Sequence, residues 1–198
     1  MLESITPLGE RGRGSTWSVT VTFFGLGSVA AGAMIGGAVA GVGRVVALDR
    51  FPPASRLAAL AVLIALGFLV DTGRAHFTLP TIHRQVNEQW LFQYRSWYYG
   101  VGFGFQLGLG IVTIITTSAV YLCLAACLLS ASPLGGALIG AAFGLTRAAT
   151  VLAAARVNTP ERLADLGRAL ERWNDRSRRV TAWGMLGVAL MAGVLAMA

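Results

Sequence analysis

Residues 98–129 read YYGVGFGFQLGLGIVTIITTSAVYLCLAACLL, with no acidic or basic side chain in the run. A hydrocarbon core about 30 Å thick is crossed by about 20 apolar helical residues. This block is therefore longer than one straight crossing requires. Comparable apolar blocks recur at 17–48, 57–70, 134–155 and 180–198. A soluble chain of 198 residues has no need of five such blocks to build one core. Only 13% of the residues are charged, about half the usual share of a soluble domain, and the mean hydropathy is +0.65. The pattern predicts an all-α, polytopic membrane protein forming a single integral membrane domain over 1–198.

Five crossings are expected, at 17–48, 56–77, 98–129, 133–156 and from 180 to the end. The second spans comfortably only if Asp71, Thr72, Gly73 and Arg74 extend its helix into the interface. No short apolar h-region with a small-residue cut site precedes Trp17, so the first block is expected to be a retained anchor. Two polar segments, 78–97 and 159–179, separate the blocks. The second carries Leu163, Leu166, Leu170 and Trp173 at helical spacing, after Thr159 as N-cap and Pro160 at the first helical position. That describes an amphipathic interfacial helix or, equally, a connecting helix packed on neighbouring loops.

All 16 basic residues are arginine and the net charge is +7. With five crossings, Arg11, Arg13, Arg74, Arg84, Arg95 and the run from Arg156 to Arg179 share one side. Arg44, Arg50 and Arg56 face the other. The positive-inside bias places the amino terminus and both polar segments in the cytoplasm of a bacterial inner-membrane protein. The basic balance fits a lipid bilayer with anionic headgroups, and no nucleic-acid-binding signature accompanies it. A shift of 83 residues aligns Gly25-Leu26-Gly27 with Gly108-Leu109-Gly110, and Glu88, Trp90 and Arg95 with Glu171, Trp173 and Arg178. Repeat units over 17–97 and 98–179 follow if that match reflects duplication.

Glycines at four-residue spacing, in the pairs Gly32/Gly36 and Gly37/Gly41 and the triplets Gly100/Gly104/Gly108 and Gly136/Gly140/Gly144, strip helix faces for close approach. Gln106, Gly110, Thr113, Thr117 and Tyr121 form a polar stripe on the third block, with Thr116 and Ser118 beside it. Such a face points into the bundle, either for interhelical hydrogen bonds or to line a path for a solute. A pause near Gly108–Gly110 or at Thr116-Thr117 would bare backbone groups suited to holding that solute. Arg147 lies about 13 Å before Arg156 along the fourth block, and an intramembrane arginine needs a partner or must snorkel. Asp71 is the natural counter-ion. The candidate path is therefore Gln106, Thr113, Thr117, Tyr121, Arg147 and Asp71. His76, His83 and Glu88 match no established metal spacing, and no cofactor motif is present. Cys123 and Cys127 share one helix face, where a disulfide is geometrically poor.

Two halves that each open with a long glycine-broken helix, GFGFQLGLGIVTIITTS and FFGLGSVAAGAMIGG, resemble the membrane thiol–disulfide carriers of the CcdA/DsbD type and related small-solute exporters. In that family each such helix carries a redox cysteine beside prolines, and six crossings are expected. Both segments here lack cysteine and proline, so the carrier chemistry does not transfer. The leading expectation is a non-enzymatic small-solute transporter or exporter. The alternatives are a non-transporting membrane subunit or scaffold for membrane or cytoplasmic partner proteins, and a redox partner using Cys123 and Cys127. Self-association through the glycine faces stays open.

Overall fold

The computed structural model describes residues 5–74, 95–110 and 117–197, and among them every regular element is helical. The α-helices are α1 (Pro7–Gly12), α2 (Trp17–Val45), α3 (Pro53–Asp71), α4 (Ser96–Leu109), α5 (Ala119–Ser130), α6 (Pro133–Ala149) and α7 (Pro160–Met197). Short 3-10 turns occupy Leu48–Arg50 and Thr150–Ala154.

Proline opens α1, α3, α6 and α7. Its fixed φ suits the first helical position, where no N–H partner is needed. Thr6 and Ser132 then cap α1 and α6, accepting from the N–H of Gly9 at 3.0 Å and of Gly135 at 3.3 Å. The turns that reverse the chain after α2 and α5 each use a left-handed alanine, Ala47 at φ 60° and Ala131 at φ 48°.

α2 is the central element, packed by α4 on one flank and α6 on another. Its contacts are glycine against backbone. A side chain on Gly104 would overlap the Phe24 carbonyl, and one on Gly108 the Ser28 carbonyl. Gly32 and Gly36 meet Gly140 and Gly136 in the same way across α2 and α6. The expected close helix approach is therefore present, although Gly41 faces open space. α3 and α7 form an outer pair in which Ile64 packs on Met185 and Ala189.

Among the described residues, four helical stretches are long and apolar enough to cross a membrane: Trp17–Val45, Pro53–Asp71, Pro133–Ala154 and Arg179–Ala196. The chain is a multi-pass helical membrane protein. Three details differ from the sequence expectation. α3 begins earlier, at Pro53, and ends at Asp71; Gly73 turns the chain away at φ 72°, so Thr72 to Arg74 do not prolong it. The third block is two helices, α4 and α5, because Gly110 at φ 73° cannot continue α4. The last amphipathic segment and the last crossing are one 38-residue helix, about 57 Å long, rather than a surface helix followed by a turn.

Candidate functional site

The interruption between α4 and α5 is the most unusual local feature of the bundle. Gly110 is buried, and a side chain there would press on the Phe143 ring of α6 and on Val120 of α5. The end of α4 and the beginning of α5 thus meet inside the protein. Level with the break on α2, the Ser28 hydroxyl donates to the Gly144 carbonyl at 2.8 Å, satisfying its own donor in the core.

Asp71 terminates α3 against the start of α5. Its carboxylate accepts from the Ser118 backbone N–H at 2.9 and 3.1 Å and from the Ser118 hydroxyl at 3.0 Å. An anion at the N-terminus of a helix is stabilised by the unpaired N–H groups and by the helix dipole. Ser118 also lies against Met185 of α7, with Oγ 3.8 Å from Sδ. Three helices therefore converge on the carboxylate that ends α3.

Arg147 takes another partner. Its guanidinium carbon sits 5.5 Å from the centre of the Phe143 ring, one turn earlier on α6. No ion pair joins Asp71 to Arg147; among the described residues the ion pairs are Arg13–Glu10 and Arg168–Asp165. The expected Asp71–Arg147 clamp is corrected accordingly: each charge is accommodated locally, by helix-end N–H groups and by an aromatic face. The polar stripe is also divided. Gln106 is half-buried on α4, Thr117 precedes α5 and Tyr121 is half-buried on it, so the three do not share one continuous helix face. Thr113, Thr116, His76, His83 and Glu88 lie outside the described residues. Among the described residues no cluster of histidine, cysteine and carboxylate side chains could hold a metal.

Cys123 and Cys127 do face one side of α5, as their spacing requires. With Leu109, Gly36, Gly140 and Phe143 they border a cavity of about 10 Å³, room for about one water. Cys127 is buried and donates weakly to the Gly136 carbonyl at 3.6 Å.

A second polar cluster escaped the sequence reading. Glu10 on α1 is fully buried and accepts from the Tyr99 hydroxyl at 2.6 Å, the Thr20 hydroxyl at 2.9 Å and Arg13 at 2.8 Å. Arg13 lies in turn over the Tyr99 ring. Ile5 joins Phe24, Tyr99, Phe103, Ala148 and Val151 in one apolar cluster, and the Leu8 N–H donates to the Val157 carbonyl at 3.1 Å. The amino-terminal segment is thereby fastened over the end of the α2–α4–α6 contact. The available signal was Thr6-Pro7 as a helix start, with one acidic residue placed just before an apolar block.

Taken together, the packed apolar helices, the internal break and the carboxylate at its edge define a multi-pass helical membrane protein whose third apolar block is divided between α4 and α5. The chain is similar to the methylamine utilization protein MauF of Methylophilus methylotrophus, 28% identical over 200 residues that span 99% of this chain and 68% of that protein. No protein-family model matches the chain, and no solved structure matches it. These comparisons overturn the resemblance to the CcdA/DsbD-type carriers, to which nothing found links the chain. The protein does carry two cysteines, Cys123 and Cys127, both on α5.

Proposed function

We propose that the protein is a small-solute transporter of a bacterial inner membrane and not an enzyme, with the α4–α5 break as its solute site. The single observation that carries this reading is the helix interruption at Gly110 beside the Asp71–Ser118 contact. A broken helix leaves N–H and C=O groups without intrahelical partners; inside a membrane such groups are tolerated where they are buried in protein or line a cavity, and broken helices of this kind form the solute sites of many transporters. Asp71, Thr117, Gln106 and Tyr121 would surround the solute, while Arg147 would set the field from α6. The carboxylate suits a small cation, and the name of MauF directs the first trial to an alkylammonium ion. In this reading α4 and α5 make one crossing between them, five in all, with the amino terminus cytoplasmic.

The rival is a membrane subunit serving partner proteins. It is supported by the exposed apolar residues Leu170 and Trp173 on the projecting part of α7 and by a relative named for a utilization process. Proteoliposomes assayed for uptake of labelled methylammonium separate the two. Transport predicts uptake above empty vesicles that falls at least about tenfold in folded Asp71→Asn, as expected when a charge-assisted contact worth about 1.5–3 kcal/mol is removed. Uptake equal to that of empty vesicles would leave the subunit reading.

A further inference from the structure

The end of the bundle away from the amino-terminal segment holds a groove separate from the break. It has a volume of about 350 Å³ and runs between the first two turns of α3, the last turn of α5, and α6. Leu57, Leu60, Ala126, Leu129 and Ile139 make apolar walls, and Arg56 and Ser130 supply its polar side chains. Arg56 Nη1 donates to the carbonyls of Leu129 at 3.2 Å and Ser130 at 3.1 Å. These are among the last carbonyls of α5, which a cation satisfies and stabilises.

That tether fixes the guanidinium but does not neutralise it. Among the described residues no carboxylate pairs with Arg56, and its Nε is enclosed without an acceptor. Both of these hydrogen bonds are made by Nη1, which leaves the Nη2 edge for a ligand in the groove. Arg44 sits in the last turn of α2 and Arg50 in the connection from α2 to α3, against the single acid Asp49. An arginine held at the end of an apolar trough, with an excess of positive charge around it, matches a molecule with a hydrocarbon tail and an anionic head. Nearby on α3, Leu63, Leu66 and Leu69 are exposed as on a face that meets lipid.

We propose that this groove binds one anionic phospholipid, with part of an acyl chain along Leu57 and Leu60 and the phosphate on the Nη2 edge of Arg56. The apolar walls select an amphiphile over a free anion, and the arginine selects an anionic headgroup over a zwitterionic one.

The test uses full-length protein stripped of lipid in detergent, titrated with phosphatidylglycerol or phosphatidylethanolamine, with bound lipid counted by native mass spectrometry. One phosphatidylglycerol should be held at least about tenfold more tightly than phosphatidylethanolamine, the preference expected of one charge-assisted contact. Arg56→Gln should abolish the preference. Leu60→Trp fills the trough while leaving the Arg56 tether intact, so it should weaken both lipids and keeps the test valid if Arg56→Gln fails to fold. Equal retention of the two lipids, or unchanged binding in Leu60→Trp, would overturn the proposal. So would an equal thermal shift from inorganic phosphate alone, which would identify a free-anion site.

Discussion

Glu10 shows what one buried carboxylate can organise. It joins α1, α2 and α4 through Thr20, Tyr99 and Arg13. A buried charge is tolerated only when paired and hydrogen-bonded, and removing a partner costs more than the bond itself contributes. Glu10→Gln should therefore lower stability by about 1–3 kcal/mol, read as a drop in thermal midpoint in detergent. Tyr99→Phe, which spares the other two contacts, should cost about 1 kcal/mol. A midpoint unchanged in both variants would mean that the segment is not fastened there. Asp71 and Arg147 make the opposite case. With separate partners, Asp71→Ala and Arg147→Ala should add to within about 0.5 kcal/mol in the double variant. Rescue of either loss by the other would restore the clamp that the sequence suggested. That pairing was a reasonable inference from two charges in apolar surroundings. It failed because a helix N-terminus and an aromatic face serve as local partners, and neither is visible as a charge in the sequence.

Among the elements, the glycine ladders were legible because a four-residue spacing on a helix has one physical consequence, a bare stripe. Which stripes are used was not legible, since that depends on the register between helices. Gly140 abuts the Gly32 carbonyl, whereas Gly41 meets nothing within 4 Å. Gly140→Ala should thus cost about 1–3 kcal/mol through forced separation of α2 and α6. Gly41→Ala should be neutral or gain up to about 1 kcal/mol in helix propensity. Similar losses from both changes, in the same thermal assay, would contradict the packing. At the start of α7, the Glu161 carboxyl is held below its ordinary range by its own backbone N–H and then by the Thr159 hydroxyl, with slight opposition from desolvation. A depressed acid contributes order that is complete above its unfolded pKa and is lost as pH falls through the folded value. An NMR titration should find the Glu161 midpoint below that of an ordinary glutamate, and Thr159→Ala should move it upward. No upward movement would remove the hydroxyl as a cause.

For the molecule as a whole, the all-α membrane class was legible from the apolar blocks, because backbone in lipid must satisfy itself within helices. The helix break was half legible: residues 98–129 were too long for one crossing, and Gly110 was a candidate pause. The positive φ that ends α4 falls at Gly110, where a side chain would press on Phe143 and Val120, neighbours that sequence cannot place. Continuity of α7 was missed because the charged run before residue 180 looked like a boundary, although a helix can carry charge on leaving the membrane. Topology follows from these pieces. The amino-terminal segment touches Val157, so the end of the fourth block and the start of α2 lie together. Arg56 reaches Leu129 and Ser130, so the beginning of α3 and the end of α5 share the other end. With α7 continuing straight from Pro160, reporter fusions after Ser132 and at Asp165 should report opposite sides, the second cytoplasmic by the arginine bias. A fusion at the carboxyl end should agree with the one after Ser132. Agreement between Asp165 and the carboxyl end instead would mean that α7 does not cross, and the five-crossing arrangement would fall with it.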